Sequence, residues 1–246
     1  MSTATASPAI VAELAPRGVL RAGINLSNFL LVTGKAANGD PEGVSPDMAK
    51  AIADRLGVPL KLVPFKSPGE LADQCGKDVW DIGLIGAEPQ RAETIAFSAA
   101  YAEIKSTYLV PAGSPLQTIA DVDRPGIRIA VTGRAAYGLW LERNIKHATL
   151  VRTDTIDSAY EAYARDKLEA LAGLETRLIE DQAKQPGSRI IPGQFTAVQQ
   201  AVGTARKNLT GARFLAAFVE EAKTSGFVAR FIAKHKPVGL SVAPPA

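Results

Sequence analysis

Apolar residues along this 246-residue chain alternate between compact runs and longer stretches in which they recur at helical spacing. The compact runs predict strands over residues 19–24, 60–65, 81–85, 105–110, 127–132, 149–151, 168–172 and 197–202. Helical spacing predicts helices over 45–56, 68–76, 135–145, 156–165, 175–185, 210–225 and 227–236, with a further start at Pro89. Strand and helix take turns, an order that predicts parallel strands with right-handed crossovers, repeated in two successive α/β units. Residues 25–43 read as a long loop with turn chemistry at 38–41, and the tail beyond Pro237 reads as disordered or surface-draped. At the first long helix Ser45 reads as the cap, Pro46 as the first position and Asp47 as facing the positive dipole end. Met48, Ile52 and Leu56 form its apolar face and Gly57 its stop.

The run Asp81-Ile82-Gly83-Leu84-Ile85-Gly86-Ala87-Glu88-Pro89-Gln90-Arg91 concentrates the candidate chemistry. It reads as a buried strand, a glycine that allows close backbone approach, and a helix opened by proline. Arg91 adds a fork of donors that is never neutral. Backbone N–H groups and a guanidinium at such a turn suit a carboxylate or another small anion. The alternative is a solvated Arg91 paired with Glu88 or Glu93 on the surface.

Composition narrows the classes. A hydrophobic share of 46% with 22% charged residues is that of a soluble globular chain, long enough for two cores. A net charge of +3 without a basic run disfavours nucleic acid and mildly favours anionic small molecules. The one cysteine, Cys75, reads as a buried, inert thiol in a helical pattern. No apolar run reaches membrane-spanning length. Residues 1–16 show no basic start followed by a long apolar segment, so they do not read as a secretory signal. The only histidines, His147 and His235, lie near lysine-rich helix ends and read as solvated caps. No metal spacing appears, and Gly83…Gly86 lacks the third glycine of a dinucleotide fingerprint, so no cofactor or metal is expected.

The order Val19-Leu20-Arg21-Ala22-Gly23, residues 43–53 (GVSPDMAKAIA), 80–86 (WDIGLIG), 89–93 (PQRAE) and 95–101 (IAFSAAY) resembles the polar amino acid group of extracellular solute-binding proteins, the type II periplasmic receptors of ABC importers. The resemblance spans about residues 17–236. It implies an α/β fold of two lobes joined by two hinge strands, with the ligand held in an inter-lobe cleft. Lobe 1 would comprise 1–109 plus 203–246, and lobe 2 the inserted segment 110–202.

The resemblance also implies site residues. Arg91 takes the place of the ligand-carboxylate arginine, beside Gly86 and Glu88. Residues 133–137 match the first helix start of lobe 2, with Arg134 as a second clamp or a solvent-facing residue, Ala135 and Ala136 offering backbone N–H groups, and Tyr137 closing over the ligand or packing with Trp140 and Leu141. Phe29 takes the place of an aromatic platform. Asn25 and Asn28 would hydrogen-bond the ligand or serve turn chemistry. Lys66 ends the second strand, where a ligand-facing or an exposed lysine both fit. Of Gln199 and Gln200, adjacent in a strand, at most one faces the cleft; Gln199 is assigned there. Two departures bear on the ligand. The acid that receives an α-ammonium in relatives aligns with Leu174, with Glu175 next to it, and the turn 86–89 is about two residues shorter than in relatives and lacks their hydroxyls; Glu88 either replaces the missing acid or serves as a helix N-terminal carboxylate.

The function implied is capture of a small carboxylate ligand, an amino acid or related organic acid, for an ABC importer by a monomer that partners an ABC permease, binds no nucleic acid and does not insert into a membrane. Alternatives are a dehydratase similar to the cyclohexadienyl dehydratases, with Glu88 or Glu175 as the acid, and a cytosolic ligand-sensing module. The family implies a periplasmic location, while the absence of a recognisable signal leaves the cytoplasm open.

Overall fold

The computed structural model describes residues 6–246. Residues 1–5, part of the stretch read for a secretory signal and of the segment assigned to lobe 1, lie outside the described residues. The chain begins with α1 (Pro8–Leu14), β1 (Leu20–Asn25), β2 (Gly34–Lys35), β3 (Pro41–Glu42), α2 (Val44–Leu56), β4 (Leu60–Phe65) and α3 (Pro68–Asp73). It continues through β5 (Ile82–Gly86), α4 (Pro89–Ala92), β6 (Ile95–Val110), β7 (Arg128–Thr132), α5 (Ala136–Asn144), β8 (Thr149–Thr153) and α6 (Ile156–Arg165). The last elements are β9 (Ala170–Leu174), α7 (Glu175–Ala183), β10 (Arg189–Ile190), β11 (Thr196–Ala205), α8 (Leu209–Thr224), α9 (Phe227–His235) and β12 (Leu240–Val242).

These elements form two compact units: residues up to Glu103 together with Gln199–Ala246, and Ile104–Val198. Both changes of unit fall inside strands, β6 and β11. The borders expected from the sequence, after 109 and before 203, lie within the same two strands.

In the first unit β1 pairs in parallel with β4 and β5, Ala22 standing level with Leu62 and Ile82. β11 runs antiparallel to β5, with Gln200 opposite Gly86. Ala22, Ile24, Ile82 and Leu84 are buried in this sheet, as the continuous apolar runs predict for strands covered on both faces. Met48, Ile52 and Leu56 of α2 are buried too, and Gly57 ends that helix in the left-handed region at φ 71°. Ser45 is not the cap. The helix starts earlier, behind Gly43, and the Ser45 hydroxyl lies inside it, 2.9 Å from that of buried Tyr101. Gly43 has φ 151°, and a Cβ there would fall 2.2 Å from the Leu31 carbonyl oxygen, so the 25–43 loop presses on the helix start only because glycine is present.

Several expectations are corrected in this unit. The 25–43 loop contains a short antiparallel ribbon, β2 with β3. The tail beyond Pro237 is ordered: β12 pairs with β6, Ala243 N–H donates to Tyr101 O, and Lys223 Nζ donates to Pro244 O at 2.8 Å. Cys75 lies past the end of α3 and is half-buried, its thiol directed at Thr94 O. His235 is no solvated cap; its ring is largely covered, with Nε2 2.8 Å from Asp47 Oδ2.

In the second unit β7 pairs in parallel with β8 and β9, while β6 runs antiparallel to β9 with Ser106 opposite Leu174. Leu109, Ala130, Ala159, Tyr163, Leu168, Leu171 and Leu178 form a core where α6 and α7 cover the sheet. Among the described residues no helix is long and apolar enough to cross a membrane.

Candidate functional site

Parallel strands collect the following loops and helix starts at their carboxyl ends, where ligands of doubly wound sheets bind. In the first unit β1 ends at Asn25, level with Phe65 of β4, and β5 ends at Gly86. Asn25, Lys66 and the 86–91 turn therefore share one edge. Arg91 is buried at 6% exposure, which rules out the solvated reading. Its guanidinium turns back, and Nη1 donates to Gly86 O at 2.7 Å. The Ala87 N–H donates to Gln199 O at 2.7 Å, tying the turn to β11. Glu88 is buried as well and extended (φ −137°) directly before the single turn of α4, whose backbone its side chain does not cap.

The remaining first-unit candidates are placed as follows. Asn25 Oδ1 accepts from Ser27 N at 3.1 Å and from Ser27 Oγ at 2.8 Å. Asn28 is buried, and its Oδ1 accepts from Leu30 N at 3.2 Å. Both carbonyl oxygens thus serve the turns that shape the loop after β1. Phe29, between them and Leu30, is half-buried. Lys66 is exposed, and its backbone N–H donates to Glu70 Oε2. Gln199 Nε2 donates to Glu103 Oε1 at 2.9 Å, while its neighbour Gln200 is buried.

In the second unit the carboxyl ends of β7, β8 and β9 are Thr132, Thr153 and Leu174. Gly133 N–H donates to Thr153 O, and Ala135 stays extended before α5 begins at Ala136. The helix starts pressed against the end of β7. A Cβ on Gly138 would lie 2.2 Å from Thr132 O and 3.0 Å from Gly133 O, so glycine is what permits the approach. Tyr137 is buried, and its hydroxyl donates to Thr132 Oγ1 at 3.0 Å. Burial pushes its phenol up to about 12, with Thr132 opposing through its hydrogen bond. The ring lines a water-sized cavity with Thr132, Leu174, Arg177 and Asp181. Arg134 is exposed and Ala136 is buried.

Two arrangements escaped the sequence reading. Lys105 Nζ donates to Glu175 Oε1 at 2.6 Å across 70 residues, a separation that leaves no local signal. Asp181, at 1% exposure, receives Arg177 Nε at 3.0 Å and Lys184 Nζ at 2.8 Å. The i,i+4 spacing of Arg177 and Asp181 on one helix is the signal that would have found the second. Among the described residues no group of three or more His, Cys, Asp or Glu side chains is placed to hold a metal ion.

Two α/β units built from one chain that passes between them inside two strands are the architecture of a type II binding protein. The chain belongs to the bacterial extracellular solute-binding proteins, family 3, whose model matches residues 25–237. That is a family of binding proteins rather than enzymes. Among solved structures, a mutant of ArgBP from T. maritima matches with a TM-score of 0.72 and 23% identity, over 92% of this chain and 99% of that one. A putative ABC-transporter binding component from Wolinella succinogenes, complexed with lysine, matches with a TM-score of 0.72 and 20% identity over 89% and 95%. An ancestral amino acid-binding protein, a precursor of cyclohexadienyl dehydratase, matches with a TM-score of 0.70 and 20% identity over 91% and 98%. At these identities the likeness carries the fold. Comparison with curated proteins gives no match.

Proposed function

We propose that this protein captures a small carboxylate ligand for an ABC importer, with Arg91 as the principal grip. The observation that carries this reading is the buried Arg91 guanidinium, anchored by Nη1 on Gly86 O at the carboxyl end of β5. The bond anchors a group that carries five donors in a fixed planar fork, a shape that matches a carboxylate. The ligand docks on the first unit through Arg91 and Gly86, with Asn25, Asn28, Phe29, Lys66, Glu88 and Gln199 around it. Residues 134–137, at the start of α5, are the further candidate contacts of this reading, as the family resemblance implies. The solved relatives are named as binding arginine or lysine, which supports a small polar ligand of this kind.

A thermal-shift panel of amino acids, 2-oxo acids and dicarboxylates tests the reading. A specific ligand raises the melting temperature with its concentration relative to Kd. Stabilisation by no carboxylate would refute it. Conversion of a stabilising compound to product would instead favour a dehydratase on the same fold.

A further inference from the structure

We propose that Asn38, at the tip of the β2–β3 ribbon, is a site of spontaneous covalent modification: its side-chain amide is lost through attack by the Gly39 nitrogen, and the product opens the ribbon. The inference stands within the first unit and does not depend on the identity of the ligand.

The sequence singles the residue out. Asn38 precedes glycine, whereas Asn25, Asn28, Asn144 and Asn208 precede Leu26, Phe29, Ile145 and Leu209. A side chain on the following residue crowds the approach of its nitrogen to the amide carbon, and glycine has none. The structure leaves the approach open as well. Asn38, Gly39 and Asp40 are exposed, and a Cβ on Gly39 would meet nothing within 4 Å.

Local hydrogen bonds prepare the amide for the reaction. Asp40 N–H donates to Asn38 Oδ1 at 3.1 Å, at the oxygen on which negative charge develops during attack. Asn38 Nδ2, the leaving group, donates to Asp40 Oδ2 at 2.7 Å. One bond opposes the step: Gly39 N–H donates to Ala36 O at 2.9 Å and must let go first. It closes the tip of an exposed ribbon with two residues in each strand, and such a hairpin opens at little cost.

The step balances without an oxidant or a reductant. Gly39 N gives its proton to hydroxide and bonds to Asn38 Cγ; the Cγ–Nδ2 bond breaks, and the nitrogen leaves as ammonia with a proton from water. Water then opens the resulting succinimide at either carbonyl, to aspartate or to β-linked isoaspartate. Both products put a carboxylate where Nδ2 had faced Asp40 Oδ2, so that attraction becomes repulsion between like charges. Isoaspartate also lengthens the backbone by a methylene between two short bonds, Gly39 N to Ala36 O and Ala36 N to Asp40 O at 2.8 Å. The tip loosens just ahead of Gly43, where the loop presses on the start of α2.

The test ages the full chain in mildly alkaline buffer. Peptide mapping by mass spectrometry follows every asparagine, and methyl transfer by an isoaspartyl methyltransferase counts the β-linked product. The expected result is conversion at residue 38 severalfold faster than at any other asparagine, yielding both products. Gly39→Ala should slow it severalfold, and Asn38→Ser should abolish the methyl acceptance. Amide exchange at Ala36 and Gly39 should quicken in the aged protein, and at the same two amides in Asn38→Asp, a variant that needs no ageing. Conversion at residue 38 no faster than at Asn144, or a rate unchanged in Gly39→Ala, overturns the site. Amide exchange equal to the parent's in both the aged protein and Asn38→Asp overturns the opening of the ribbon.

Discussion

Arg91 holds the carbonyl of Gly86, five residues earlier in the chain, at 2.7 Å. The bond closes the turn that leaves β5 and aims a buried cation at the carboxyl end of the first unit's parallel strands. One contact thus shapes the backbone and orients the charge.

Replacing Arg91 should therefore act on binding and on the turn together. Arg91→Ala should weaken a carboxylate ligand by about 2–5 kcal/mol, the usual cost of deleting a buried, charge-assisted partner. Arg91→Lys should recover little, because a single ammonium cannot reproduce a planar fork of donors. Calorimetry with the ligand found by thermal shift measures both. Unchanged affinity in Arg91→Ala would remove this residue from the site.

Gly138→Ala should destabilise the second unit by about 1–3 kcal/mol or more, since the added methyl meets backbone that cannot rotate away. The nearest atom, Thr132 O at 2.2 Å, belongs to the end of β7 against which α5 starts. Urea unfolding of the variant, followed by far-ultraviolet circular dichroism, gives the difference. A midpoint equal to that of the parent would contradict the close approach.

The phenols of Tyr137 and Tyr163 predict a loss of stability in alkali. Burial raises both to about 12, against about 10 in an open chain. A group whose pKa is raised by folding contributes fully below the open-chain value and loses its contribution as pH rises through the folded one. Stability should therefore fall between about pH 10 and 12, by about 2–3 kcal/mol per phenol. Tyr101 and Tyr108 are raised further by burial and add to the same loss. Tyr137→Phe should flatten the decline. A tyrosinate absorbance titration that completes near pH 10 with the fold intact would contradict this account.

Much of the framework was legible because strand and helix patterns are local. Leu60–Phe65 and Ile156–Arg165 occupy the residues their periodicity predicts. β6 was read only from 105 onwards, although it begins at Ile95. Its first part, Ile95 to Ala100, carries alanine and serine, whose weak strand preference hid it. β2, β3 and β12 are too short for any period to show. At the candidate site the glycine, the proline and the arginine of 86–91 could be placed from sequence, because a strand end and a helix start are adjacent in the chain. The inward turn of Arg91 could not, since nothing in the order of residues says whether a guanidinium faces its own backbone or water. Lys105 and Glu175 meet only after the sheet has formed.

The N-terminal helix carries a practical consequence. α1 precedes the residues matched by the family model, yet its end is wedged into α8: Leu14 is fully buried, Glu13 Oε2 accepts from Gly211 N at 2.7 Å, and a Cβ on Gly211 would strike Leu14 at 2.6 Å. Affinity tags, fluorescent fusions and protease sites therefore belong ahead of Ser7. Trimming the chain to the family boundary would strip a sixteen-residue helix of its lid and expose a greasy notch where Leu14 had been seated.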